Sequence, residues 1–142
     1  MKIAIGSDHG GYELKEYLKK YLARKRHQTT DFGTFNHDSV DYPDIAKPVG
    51  RSVAKKDYHF GILICGTGIG ICIAANKVPG IRAAVCHNVY TSQMAREHND
   101  ANVLCLGGRV VTKKMALNIL KIFLKTKFAG GRHLRRVRKI GR

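Results

Sequence analysis

After Asp100 the sequence contains no aspartate and no glutamate, although twelve lysines and arginines follow. The formal net charge is +16. A field of that sign attracts polyanions or anionic substrates. In "KKMALNILKIFLKTK" the lysines alternate with Leu and Ile at helical spacing and read as a solvated helix face. The tail "GGRHLRRVRKIGR" has no such apolar rhythm to account for it. Long apolar runs are missing as well. None approaches the ~20 residues that a membrane-spanning helix needs. The opening MKIAIGSDHGG meets Asp8 and lacks the apolar stretch of a signal peptide, so a soluble, cytoplasmic chain is expected. Cys-x-x-Cys pairs are absent too, which excludes zinc ribbons and dithiol redox motifs. The four cysteines are Cys65, Cys72, Cys86 and Cys105. Cys72, Cys86 and Cys105 read as reduced core thiols, and no metal site is expected.

The 142 residues suit one domain spanning 1–142. Five strand-like segments recur: KIAIG (2–6), HQTTDFG (27–33), GILIC (61–65), RAAVC (82–86) and NVLCLG (102–107). Continuous apolarity in GILIC fits a strand covered on both faces. Helical patterns fall between them. Leu14, Tyr17, Leu18, Tyr21 and Leu22 share one face of the first. Pro43 opens a second that runs to about 56, with Pro48 a possible bend. A third starts in the glycine turn after Cys65, VYTSQMAREH makes a fourth, and Thr112 caps the last. Strands alternating with helices on short connections predict a doubly wound parallel sheet, α/β in class. Ligands of such sheets sit beyond the strands' carboxyl ends. The residues expected there are Ser7-Asp8-His9, Cys65-Gly66-Thr67 and His87-Asn88.

The stretch "GILICGTGIGICIAANK" sets a thiol at the mouth of a glycine-rich turn. A dinucleotide site would need a third glycine where Ile71 stands and a carboxylate after the next strand, where His87-Asn88 stand. A P-loop would need a lysine that is absent. Stabilisation of an oxyanion during chemistry remains. A thiol beside a helix N-terminus is expected to have its pKa lowered from about 8.5, which makes Cys65 a candidate base or nucleophile.

The motifs "GSDHGGYELK", "VDYPD", "ICGTGIGICIAANK", "GIRAAVC", "REHNDANVL" and "GGRHLRRVRKI" together resemble the type B ribose-5-phosphate isomerases, whose family includes the galactose-6-phosphate isomerase subunits. The resemblance runs from residue 2 to about 140. It implies a single Rossmann-like domain with a five-stranded parallel sheet flanked by helices. It also implies a homodimer, sometimes paired into a tetramer, with the site at the dimer interface. The implied reaction interconverts ribose 5-phosphate and ribulose 5-phosphate in the pentose phosphate pathway, with no metal or cofactor. By position, Cys65 corresponds to the base that moves a proton between carbons 1 and 2. Thr67 and the amides of Gly66, Gly68 and Gly70 would hold the enediolate oxygens. His98 would assist ring opening, with Asn99 nearby. Asp8 would contact the sugar and Tyr42 would line the pocket. His9, Arg132 and Arg136 would bind phosphate, with Arg109 a weaker candidate, so the basic tail from about 130 to 142 would serve the substrate. Some relatives use a glutamate from the glycine-loop helix as base. That helix has no carboxylate here, which favours Cys65.

The implied chemistry fits the residue types. Isomerisation needs a base, an oxyanion hole and a group that opens the ring. Arginines at 132 and 136 share a helix face and suit a phosphate. Three departures stand out. Cys72 replaces a more usual serine, the segment "AKPVGRSVAKKDYHF" is more basic than usual, and the tail lacks acids. Two other readings stay open. One is an isomerase of a six-carbon sugar phosphate such as allose or galactose 6-phosphate. The other is a nucleic-acid-binding module, against which stands the absence of a helix-turn-helix, zinc or RNA-recognition motif and of aromatics among the tail's arginines.

Overall fold

A computed structural model describes residues 1–141. Five strands form one parallel sheet: β1 (Lys2–Ser7), β2 (Gln28–Asp31), β3 (Phe60–Cys65), β4 (Ala83–Val85) and β5 (Val103–Gly107). Their order across the sheet is β2-β1-β3-β5-β4. Alternation along each central strand sends side chains to two cores. Ile3, Ile5, Ile62, Ile64, Leu104 and Leu106 meet one set of helices, whereas Ala4, Leu63, Cys65, Val103 and Cys105 meet the other. Both faces are therefore covered, as the unbroken apolar runs require.

The first core is closed by α1 (Tyr12–Arg24), α4 (Val89–Glu97) and α5 (Lys113–Lys125). The second is closed by α2 (Tyr42–Ala54) and α3 (Ile69–Asn76). Leu14, Leu18 and Leu22 of α1 are buried, and Tyr17 and Tyr21 pack at the rim. Phe123 of α5 is fully buried, a position worth roughly 1.5–3 kcal/mol of transfer free energy. The Thr112 hydroxyl accepts the Met115 amide at 3.1 Å, so the expected cap on α5 forms. Helix α2 continues through Pro48 with no break, held by the buried face of Ala46, Val49, Gly50 and Val53. The basic tail adds a helix that periodicity alone did not define, α6 (Arg132–Ile140), none of whose residues is buried.

One residue departs from simple patterning. Lys15, on the apolar side of α1, is 0% exposed. Its Nζ donates to Asp31 Oδ1 at 2.7 Å and Oδ2 at 2.8 Å, and also to the Thr34 carbonyl. Lys19 donates to the same carboxylate at 2.7 Å. Burial opposes the charge on Asp31, but the two lysines and the Gly33 amide outweigh it and hold the carboxyl below its ordinary value. This pair anchors the loop that runs from β2 toward Tyr42. Among the described residues, no helix is long and apolar enough to cross a membrane.

Candidate active site

The sheet order creates a crevice. The chain leaves β1 for β2 on one side and returns to β3 on the other, so connections diverge from the carboxyl ends of β1 and β3. Ser7 pairs in register with Ile64, and the Asp8 amide donates to the Ile64 carbonyl at 3.1 Å. The first two expected strand ends are thus side by side. The third, His87-Asn88, is not among them. β5 intervenes, and Asn88 instead caps α4, its side chain accepting the Thr91 amide at 2.8 Å. The loop next to Cys65 is Gly107-Gly108-Arg109, whose Gly108 amide donates to the Cys65 carbonyl at 2.8 Å.

Cys65 ends β3 and is 4% exposed. Its Sγ accepts the Gly68 amide at 3.1 Å. That contact depends on a left-handed turn: Gly68 sits at φ +80 as the residue before α3. A charged sulfur there has a dipole aimed at it from the backbone. Thr67 is exposed at the loop tip, and its Oγ1 accepts the Ile69 amide at 3.2 Å, which leaves its proton free to donate. The Arg109 guanidinium lies over Gly66, where a Cβ would stand 3.0 Å from Nη1. Tyr42 lies over Gly70 just as closely, 2.7 Å from its Cζ to a Cβ there. Both glycines are needed for close approach.

Asp8 Oδ1 accepts the Gly10 amide at 2.9 Å and the Gly11 amide at 3.2 Å, so it caps the turn into α1. His9 Nδ1 accepts the Val40 amide at 3.3 Å, which leaves Nε2 to carry the ring proton. One crevice therefore gathers Asp8, His9, Cys65, Gly66, Thr67, Gly68 and Arg109, with Tyr42 and Gly70 at its wall.

The other candidates lie elsewhere. Helix α4 returns from the carboxyl end of β4 to the amino end of β5, and His98 and Asn99 follow its last turn. Five residues of β5 separate that end from the crevice, about 17 Å of strand. The His98 ring stacks on His133 with centroids 4.1 Å apart. The Ala129 amide donates to the Glu97 carbonyl at 3.0 Å and ties the approach to α6 onto α4. Arg132 and Arg136 are exposed beside this stack. Desolvation, with His98 and the two arginines nearby, lowers the His133 pKa. A single chain therefore holds the candidate residues in two groups at opposite ends of its sheet.

The remaining cysteines behave as core groups. Burial pushes the Cys86 thiol up to about 11 and Cys105 well above its ordinary value. The Cys105 thiol, against the opposing effect of burial, lowers that of Cys72. Among the described residues, no three His, Cys, Asp or Glu side chains are arranged to hold a metal ion. Sequence reasoning missed the Gly107-Gly108 turn as a wall of the crevice, although "LGGR" after an apolar strand was the signal for it. Nothing local marked Lys15 or Asp31.

A model of the Ribose/Galactose Isomerase family matches residues 3–140. A putative sugar phosphate isomerase of Rickettsia bellii is 51% identical over 138 residues, covering 97% of this chain and 96% of that protein. The solved ribose-5-phosphate isomerase B of Clostridium thermocellum superposes with a TM-score of 0.98 at 57% identity, covering 99% of this chain and 95% of its own. The ribose-5-phosphate isomerase B of Mycoplasma genitalium, solved with bound ribulose-5-phosphate, superposes with a TM-score of 0.94 at 47% identity over 98% and 93% of the two chains. With the match running over residues 3–140 of 142, the chain belongs to the Ribose/Galactose Isomerase family.

Proposed function

We propose that this protein is an aldose–ketose isomerase that interconverts ribose 5-phosphate and ribulose 5-phosphate, a step of the pentose phosphate pathway. The observation that carries this reading is the Cys65 sulfur held 3.1 Å from the Gly68 amide at the mouth of a glycine loop, in a family of sugar-phosphate isomerases. The thiolate takes the proton from one of carbons 1 and 2 and returns it to the other. Negative charge moves onto the sugar oxygens as the enediolate forms. The Thr67 hydroxyl and the amides of the loop from Gly66 to Gly70 stabilise that charge. Asp8 binds the sugar, and Tyr42 walls the pocket.

Ring opening falls to His98, with Asn99 beside the reacting oxygens. Phosphate falls to Arg132 and Arg136, with His9 and Arg109 from the crevice side. Because those groups sit at opposite ends of one chain, a second copy completes the site. The surface fits that role. Ile69 and Ile73 of α3 are 53% and 58% exposed, on consecutive turns beside the glycine loop. Covering them with a two-fold copy brings a partner's His98 and Arg132 toward Cys65. The chain acts as one isomerase domain, and the tail from about 130 contributes to phosphate binding. Arg142 lies outside the described residues.

The test is turnover by purified protein of ribose 5-phosphate, allose 6-phosphate and galactose 6-phosphate, compared by kcat/KM. A clear preference for ribose 5-phosphate supports the assignment. Preference for a six-carbon phosphate moves it within the family, and no turnover of any of them overturns it.

A further inference from the structure

The proposed site uses the crevice, α3 and α6, and leaves the opposite face of the molecule unexplained. There α1 and α5 lie side by side. Lys113 Nζ stands 5.8 Å from the Tyr17 ring centroid and Lys121 Nζ 5.5 Å from that of Tyr21. A groove between the helices is lined by Tyr21, Arg24, Lys25, Leu117 and Lys121. The ion pairs of the described residues engage Lys15, Lys19, Arg82 and Arg96. None neutralises the cations of this groove. Glu16, the nearer α1 acid with a partner, is held by Lys19 at 2.8 Å.

Fold stability explains only part of this charge: Arg24 and Lys125 stand in the last turns of α1 and α5, where the helix dipole favours cations, but the others do not. Lys113 and Lys114 occupy the first turn of α5, which carries no acid. Cations there oppose the helix dipole and cost typically about 0.3–1 kcal/mol each. Lys20 and Arg24 on α1, and Lys121 and Lys125 on α5, are like charges four residues apart, which also destabilises a helix. A surface that repels itself in isolation is relieved by a polyanion. From Lys113 to Lys125 the cations extend about 18 Å at 1.5 Å per residue, enough to face a few successive phosphates of a nucleic-acid backbone. A lipid surface fits less well. Met115 is the one large apolar side chain of these two helices that is substantially exposed, so little can enter a bilayer.

We propose that the α1–α5 face binds the sugar-phosphate backbone of nucleic acid without reading its sequence. The face is separate from the isomerase crevice, since Cys65 points to the α2–α3 side of the sheet. The test is fluorescence anisotropy of the full-length protein with a labelled mixed-sequence RNA, from about 50 to about 200 mM KCl. The wild type binds with affinity falling linearly in log salt. The Arg24→Glu, Lys121→Glu double variant binds about tenfold more weakly at the low-salt end, with a shallower salt slope. Its isomerase turnover and melting temperature match the wild type, which shows that it is folded. Unchanged RNA binding by this variant overturns the proposal, as does no wild-type binding at the low-salt end. If Arg132→Ala, Arg136→Ala abolishes binding and the groove variant does not, the tail is the contact and the proposal fails. Phosphatidylserine vesicles that displace the RNA would assign the face to membranes instead.

Discussion

The Sγ of Cys65 lies 3.1 Å from the amide nitrogen of Gly68, and the two residues bracket the turn from β3 into α3. Only a left-handed residue closes that turn, and the Gly68 backbone is pressed against Leu106 on the neighbouring strand. The contact thus joins backbone conformation, packing and the proposed chemistry in a single hydrogen bond.

Gly68→Ala tests that connection. A Cβ would be strained at φ +80 and would stand 2.8 Å from the Leu106 carbonyl carbon. The expected cost is about 1–3 kcal/mol of stability. Turnover should fall more than the loss of folded protein explains, because the amide no longer faces the sulfur. Thermal denaturation and kcat measured on the same samples separate the two effects.

The buried Lys15–Asp31 pair makes a second prediction. Lys15→Met removes one of the two lysine partners of a half-buried carboxylate, leaving Lys19, and should cost about 1–3 kcal/mol. The pH dependence has a definite sign. Asp31 has a folded pKa below its ordinary value, so its contribution is complete at neutral pH and is lost as pH falls below about 4 and through the depressed value. Urea denaturation at a series of pH values should show a shallower acid loss in Asp31→Asn than in the wild type. Equal acid limbs would contradict the pair's role.

The proposed assembly of the site from two chains gives a third. Ile73→Glu should yield monomers in sedimentation and lose activity, although Ile73 touches none of the proposed reacting groups. Cys65→Ala and Arg132→Ala should each be nearly inactive alone. Co-refolded in equal amounts, they should recover about a quarter of wild-type sites, since half the dimers are mixed and each carries one intact site. No recovery would place both groups in one chain's site.

Much of this was legible beforehand, and the reasons are local. Short apolar or β-branched runs closed by glycine or cysteine gave the five strands, and GILIC is continuously apolar because a parallel strand covered on both faces needs it. Thr112 and Pro43 gave helix starts through capping and a fixed φ. Asp8, His9, Cys65 and Thr67 were expected together because a switch point juxtaposes adjacent strand ends. Sheet order was harder. RAAVC and NVLCLG look alike as strands, yet β5 is fully buried between β3 and β4, and β4 is half-buried at the edge. That order removes His87-Asn88 from the crevice and brings in Gly107-Gly108. Lys15 was hidden because its partner Asp31 lies sixteen residues away on another element.

The most direct test of the central claim compares Cys65→Ala and Cys65→Ser with the wild type on ribose 5-phosphate, alongside solvent-deuterium exchange at the carbon-bound proton. If the thiol is the base, both variants retain their fold and melting temperature, lose turnover by about 10²-fold or more, and cease to exchange that proton. Near-wild-type turnover and exchange in both variants would contradict the account.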